Sequence, residues 1–455
     1  MYRTQDQRTL FSMPKDFSNI QAVVMGLGLF GGGEAVVRHL AAAGARVLIT
    51  DLRSEKELSS TLFKLKPLLD SGQVTTRLGE HATEDFLKAD LVVVNPAIPQ
   101  PWENPFLIAA ESAGADILTE IRMAIGTIPA ERVIGVTGSS GKSTTSAMIH
   151  HAMNVVYPEL HPTLGGNIGG SLLDTPPVPD ATLILELSSF MLYWLATDAT
   201  AQENRFTPAT AVLTNITPNH LDWHSTMEHY VESKHSIFTP TIACSKPHKV
   251  TPDEHPCSKD VEHVIDTELD LSIPGEHNRD NARLAILSIL THLKIRKLDD
   301  ESELNIATRL ARALDDFPGL PHRLHHIGVF SDIECVNDSK STTPEATLKA
   351  IESLAHPSRI HLIAGGYDKG SNLEVIARLH DSLAGLYTIG DTGRSIASDG
   401  GRYCQTIEGA VKAAAESARP GDVLLLSPGC ASWDQFSNFE ARGIAFETAV
   451  RQILG

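Results

Sequence analysis

Apolar residues along this chain fall in short, nearly continuous runs, each followed by a small or polar turn and then by a stretch with apolar positions at helical spacing. From Ala22 the chain reads AVVMGLGLFGGG, then EAVVRHLAAAG, then RVLITD, the pattern of a strand, a glycine-rich turn, a helix and a second strand. LVVVNPAIP at Leu91 and DILTE at Asp116 predict further buried strands of a parallel sheet. The rhythm returns in RVIGVTG at Arg132, ATLILELSSF, TAVLTNIT and the helical NRDNARLAILSILTHL. It returns again in IECVNDSK, RIHLIAGG, AGLYTIGD and DVLLLSPG. The fold class predicted is α/β in three domains. These are a Rossmann-like domain over residues 1–128, a central, mostly parallel-sheet P-loop domain over 129–322, and a Rossmann-like α/β domain over 323–455. The stretch Thr239 to Asp270, rich in Pro, His and charge, is read as irregular.

A length of 455 residues, at about 150 per domain, agrees with that division. The formal charge of −18 argues against a phosphate-backbone partner, so no nucleic acid is expected. It does not exclude a nucleotide, which local amides and a lysine can hold. Five scattered cysteines without CxxC spacing fit a reducing compartment. No apolar run approaches the ~18 residues of a membrane span, and the segment Met1 to Asn19 is polar rather than signal-like. A cytoplasmic protein without a membrane span is therefore expected, and it is taken to be a monomer.

Two glycine-rich turns carry candidate chemistry. In GVTGSSGKSTTSAMIHHAM a turn follows a short apolar strand and opens an amphipathic helix, which is the setting of a phosphate-binding loop. The long GxxxxGK(S/T) form fails because Val136 takes the first glycine position. The shorter form keeps Gly138, Ser139, Ser140, Gly141, Lys142, Ser143 and Thr144. Backbone amides would cradle phosphates, Lys142 would neutralise their oxygens, and the Ser143 hydroxyl would face magnesium. The bland alternative is a glycine-rich helix cap. The second turn, GLGLFG at Gly26, fits GxGxxG, with Asp51 about 20 residues on, and alone would suggest a dinucleotide enzyme.

Beyond the phosphate loop come GGNIGG at Gly165, LELSSF at Leu185, TNITPNHLDWH at Thr214, GEHNRDNA at Gly275, FPGLPHRL at Phe317, NDSKSTTP at Asn337, GGYDKGSN at Gly365 and LLSPGCASWDQFSNFEARG at Leu425. In order and spacing these segments resemble the Mur ligase family over nearly the whole chain, and the last looks like the members that add D-glutamate. The resemblance implies ATP-dependent ligation of D-glutamate to UDP-N-acetylmuramoyl-L-alanine through an acyl phosphate, with ATP and magnesium. It implies Glu186 and His220 as metal ligands together with Ser143, and Lys234 as a carbamylated lysine that turns a cation into a further ligand. Lys340 would clamp the transferring phosphoryl group as a catalytic residue alongside Lys142, Lys234 and His220. Arg323 and Asp338 would hold the triphosphate and ribose, and Asn278 and Asn281 the purine edge. Thr342, Lys369, Ser432 and Phe439 would hold D-glutamate. Leu29, Phe30, Asp51 and Arg53 would contact the uridine nucleotide, and Asn167 the muramoyl-alanine part.

Taken singly, Glu186 reads as a solvated acid or cap, His220 as a loop histidine, Lys234 as a surface lysine, and Asn278 or Ser432 as a helix cap. Three features depart from the family pattern: Met191 stands where Gln is usual, Thr343 where Asn is common, and the stretch between Lys234 and His277 is short, leaving less room for central strands. Competing readings are another Mur-type or folylpolyglutamate-type ligase, a nicotinamide-dependent oxidoreductase, and an inactive UDP-sugar-binding module.

Overall fold

The computed structural model describes residues 17–455 apart from 29–30, 127, 198–205, 239–247, 252–262, 264, 267, 274, 299–300, 355 and 369. It contains three sheets, each in its own stretch of sequence. The first is all parallel, with β1 (Gln21–Met25), β2 (Arg46–Asp51), β3 (Val74–Leu78), β4 (Leu91–Val94) and β5 (Asp116–Thr119) in the order β3-β2-β1-β4-β5. Val24 and Val93 enter one apolar cluster and Val23 and Val92 the other, so both faces are covered. That is why LVVV is uniformly apolar rather than alternating. Strand order reverses between β1 and β4, and a crevice forms there at the carboxyl ends of the strands. Gly33 is required by packing: a Cβ on it would lie 2.2 Å from the carbonyl oxygen of Leu27.

The second sheet is also parallel, with β6 (Val133–Thr137), β7 (Thr163–Gly166), β8 (Leu183–Glu186), β9 (Thr210–Leu213) and β10 (His248–Val250) in the order β10-β9-β6-β8-β7. The strand β10 falls inside the stretch read as irregular, and corrects that expectation for its three residues, which add to the edge beside β9. The central position of β6 places the turn after it, Gly138–Gly141, at the switch point of this sheet.

The third sheet contains β11 (His325–Phe330), β12 (Ile333–Asn337), β13 (Ile360–Gly365), β14 (Gly385–Ile389), β15 (Arg402–Gln405) and β16 (Val423–Leu426) in the order β11-β12-β16-β13-β14-β15. All its pairings are parallel except β11 with β12, an antiparallel hairpin turned through Ser331 and Asp332 in left-handed conformations. The expectation of parallel strands throughout is corrected at this edge: HHIGVF interposes polar residues and is only half buried, as an outer strand permits.

Two compact units divide the chain: residues 1–268 with 281–313, which hold the first two sheets, and 269–280 with 314–455, which hold the third. Among the described residues no helix is long and apolar enough to cross a membrane.

Candidate active site

The glycine-rich loop leaves β6 at Gly138 and enters the helix Lys142–Val156. Both turn glycines have positive φ, 147° at Gly138 and 81° at Gly141. A Cβ on Gly138 would come within 1.9 Å of the Thr214 hydroxyl, and one on Gly141 within 2.5 Å of Asn281 Oδ1. The loop is pressed from two sides, by the residues that follow β9 and by the helix Glu276–Arg296. Thr214 Oγ1 donates to the Ser140 carbonyl at 2.5 Å, and Asn215 Oδ1 accepts from the Ser140 amide at 3.0 Å and hydroxyl at 3.2 Å. The Ser139 hydroxyl donates to the Thr217 carbonyl at 2.9 Å and lies 2.7 Å from the Tyr230 hydroxyl. Ser139 and Ser140 thus spend their side chains on shaping the loop, and Thr145 Oγ1 donates to Asn281 Oδ1 at 3.2 Å. Ser143 and Thr144 lie in the first turn of the helix, the end whose dipole favours anions.

Around this loop converge the acid, the imidazole and the amine singled out in the sequence. Glu186 ends β8 and is 1% exposed. Its Oε1 accepts from Asn167 Nδ2 at 3.0 Å, whereas its Oε2 is buried and has no hydrogen-bond partner. An orphaned buried carboxylate oxygen is costly unless a cation completes it. His220 stands at φ 54°, edge-on to Phe190 with ring centroids 4.9 Å apart. Burial, with Lys142 and Lys234 nearby, holds its pKa below the ordinary histidine value, so a neutral imidazole is available as a ligand. Lys142 Nζ donates to the carbonyls of Gly138 (2.9 Å) and Ser139 (3.0 Å), and Lys234 Nζ to that of Gly138 (2.7 Å). Lys234 is 1% exposed, which overturns the surface-lysine alternative; burial first and then Lys142 bring its pKa down to about 7.

Magnesium fits this donor set. Among the described residues no three His, Cys, Asp or Glu cluster closely enough to cage an ion. Magnesium is commonly held by only one or two carboxylates, with water and phosphate oxygens filling most of the octahedron. Glu186 Oε2 and His220, with the Ser143 hydroxyl, would hold it.

At the mouth of the first sheet, Asp51 ends β2 and is buried, accepting from the Gly28 amide at 3.3 Å and from the Arg53 amide at 2.9 Å. Asp51 thus braces the glycine turn and carries Arg53 beside it. A cavity of about 320 Å³ runs from Gly26 and Gly28 past Asn95 and Glu120 to Asn167, Ser188 and Met191. Met191 lines this cavity as an apolar wall, where a Gln would present an amide. Leu29 and Phe30 lie outside the described residues.

The second unit gathers its own set. Asp338, at the end of β12, accepts from Ser341 Oγ (2.5 Å), Ser427 Oγ (2.8 Å) and the Leu324 amide (3.2 Å). Burial pushes its pKa up to about 6 despite those bonds and the nearby Arg323. Lys340 Nζ sits 3.8 Å from the ring centroid of Phe439. Ser432 is buried, and its carbonyl accepts from the Gln435 and Phe436 amides at the start of a turn. Thr342 follows in the loop of Lys340, and Thr343 precedes the helix Pro344–Ser353 without a side-chain cap bond. Asn278 is buried in the first turn of the helix Glu276–Arg296, and Lys369 lies outside the described residues.

Several organising residues were not assigned roles from sequence. Arg442 is buried and donates to Ser339 Oγ, to the Ser339 carbonyl and to the carbonyls of Cys430 and Ala431, tying the Lys340 loop to the Ser432 loop. Ser189 Oγ lies 2.9 Å from His224 Nε2, joining the loop of Glu186 to the loop of His220. The signal for Arg442 was its place in FEARG beside Phe439; Ser189 and His224 stand in LELSSF and TNITPNHLDWH, with nothing in the sequence to pair them.

Comparison with known proteins matches residues 20–119 to the Mur ligase MurD-like N-terminal domain, 136–263 to the Mur ligase middle domain, and 322–430 to the Mur ligase glutamate ligase domain. The chain is 30% identical to the UDP-N-acetylmuramoylalanine–D-glutamate ligase of Clostridioides difficile, over 94% of this chain and 98% of that one. It is 33% identical to the enzyme of the same name from Caldanaerobacter subterraneus, over 94% and 98%. Among solved structures, the MurF ligase of Thermotoga maritima in complex with ADP is similar in fold, with a TM-score of 0.50 and 15% identity over 98% of each chain.

Proposed function

This chain belongs to the Mur ligase family, and we propose that it joins D-glutamate to UDP-N-acetylmuramoyl-L-alanine, converting ATP to ADP and phosphate. It is an ATP-dependent ligase. The observation that carries the mechanism is the buried Glu186, with one oxygen bound by Asn167 and the other unpartnered, beside two lysines on the Gly138 carbonyl.

The carboxylate of the alanyl substrate attacks the γ-phosphorus of ATP. The bond from the β-γ bridging oxygen breaks, and an acyl phosphate and ADP form. The amine of D-glutamate then attacks the acyl carbon, phosphate leaves, and the amine loses a proton. Charge spread over the transferring phosphoryl oxygens is what the site must stabilise. Magnesium supplies part of that stabilisation when bound. Lys142 supplies a positive charge at the loop, the helix it opens supplies amides, and a carbamate on Lys234 would add a negative ligand. Lys340 is assigned to the same phosphoryl group, Arg323 and Asp338 to the nucleotide, and Asn278 and Asn281 to the adenine. Thr342, Lys369, Ser432 and Phe439 are assigned to D-glutamate. Leu29, Phe30, Asp51 and Arg53 take the uridine end, and Asn167 the muramoyl-alanine end. A cytoplasmic monomer in peptidoglycan precursor synthesis completes the reading.

The test is phosphate release from ATP and magnesium with UDP-N-acetylmuramoyl-L-alanine and D-glutamate, L-glutamate or neither. Release that needs the UDP substrate and D-glutamate, and is lost in Lys142→Ala, supports it. Equal release with L-glutamate overturns the stereospecific assignment. No release in any combination leaves a binding module.

A further inference from the structure

The segment from the last residue of β7 to the turn at Ser171 contains Gly166, Gly169 and Gly170, with φ of 87°, 84° and 81°. Three left-handed glycines in so short a segment give a chain with much conformational freedom to lose. Yet this loop presents Asn167, whose amide side chain occupies one oxygen of Glu186 and leaves the other open. Something must hold it in register.

Two pins do so. At the near end the Asn167 backbone amide donates to the Glu186 carbonyl at 2.9 Å. At the far end the Ser171 hydroxyl donates to Glu120 Oε1 at 2.5 Å, while its oxygen accepts from the Leu173 amide at 3.2 Å. Glu120 does not belong to the second sheet. It directly follows β5 of the first and begins the helix Glu120–Ile125. Its carboxyl group lines the wall of the cavity and is half-buried.

Resting on the assignment of Glu186 as a metal ligand, we propose that Glu120 is a positioning residue of the ligase. Through Ser171 it fixes the glycine loop, and so the Asn167 contact that decides which oxygen of Glu186 stays open. Residues that orient a metal ligand from outside typically change metal affinity by about 10–100-fold when lost.

Two measurements test this. Hydrogen exchange of the protein alone, with no metal or nucleotide, should show faster exchange across residues 164–172 in Glu120→Ala and in Ser171→Ala. Glu120→Gln, which keeps an oxygen for the Ser171 hydroxyl, should stay close to wild type. In phosphate release, both alanine variants should need roughly tenfold more magnesium for half-maximal rate, with kcat at saturating magnesium within a few-fold of wild type. The double variant should be no worse than either single one, because both remove the same contact. Unchanged exchange at 164–172 overturns the proposal, as does a Glu120→Ala defect confined to KM for the UDP substrate, which would make Glu120 a ligand contact. If wild-type protein releases no phosphate, the ligase assignment fails, and the exchange measurement still decides whether Glu120 holds the loop.

Discussion

The amine of Lys234 lies 2.7 Å from the carbonyl oxygen of Gly138, the residue that begins the glycine-rich loop after β6. A lysine so buried, beside Lys142, is poorly placed to remain a plain cation. A carbamate formed by addition of carbon dioxide keeps one N–H, which can still donate to Gly138 while the new carboxylate turns toward Glu186. Arginine would also donate to Gly138 but cannot be carbamylated. Lys234→Arg is therefore expected to lose at least about a hundredfold in ligation, equivalent to roughly 2.7 kcal/mol of transition-state stabilisation. Labelled bicarbonate should give a carbamate carbon signal in the wild type that is missing in the variant. An arginine variant with near wild-type rate would show that only the hydrogen bond matters.

Gly138 is constrained from the other side as well. An added Cβ would meet the Thr214 hydroxyl at 1.9 Å and the Asn215 amide at 3.1 Å, with φ at 147°. Gly138→Ala is expected to abolish measurable nucleotide binding by calorimetry. The pair Gly138→Ala with Thr214→Ala should recover stability in part but not binding, since the backbone conformation remains unfavourable for a side chain. Full recovery of binding in the pair would mean that the hydroxyl clash alone was at fault.

Legibility followed chemistry that is local in sequence. The phosphate loop was readable because strand, glycines, lysine and helix are consecutive, and β4, β8 and β16 because apolar runs buried on both faces look alike wherever they occur. The strand Val74–Leu78 went unread because VTTRL carries little apolar signal, and Thr163–Gly166 because half of it is glycine. The antiparallel β11 is an edge strand with polar residues, which a search for buried parallel strands passes over. Among site residues, Glu186 and His220 emerged from a family pattern, but the Asn167 bond to Glu186 and the Glu120 bond to Ser171 join residues 19 and 51 positions apart. No periodicity encodes such a pairing.

Arg442 is a buried cation that donates to a hydroxyl and three carbonyl oxygens. Lysine offers fewer donors and no planar fork, so Arg442→Lys leaves at least one buried acceptor unmet, at about 1–3 kcal/mol. Because the guanidinium joins Ser339, next to Lys340, with Ala431, next to Ser432, the defect should spread to two substrates. KM for D-glutamate and for ATP should both rise, by roughly tenfold, with a lower melting temperature. A rise in one KM alone would separate the two loops energetically.

Asp338 sets the expected pH response of the second unit. Its folded pKa is raised from 3.8 to about 6, chiefly by burial, with the Ser341 and Ser427 hydroxyls and the Leu324 amide opposing. The folded protein therefore holds this proton more tightly than the unfolded chain. The stabilisation is fully present below the unfolded value and is lost as pH rises through about 6. Asp338→Asn is neutral at every pH, can accept from the Leu324 amide, and can donate to the serine hydroxyls, which rotate to receive it. Its stability relative to wild type should thus become more favourable between pH 4.5 and pH 7.5, by on the order of 2 kcal/mol, and then stay level. Thermal unfolding of both proteins across that range is the check. A difference independent of pH would mean that the carboxylate charge is met in the folded state as well as it is in water, with Arg323 as its partner.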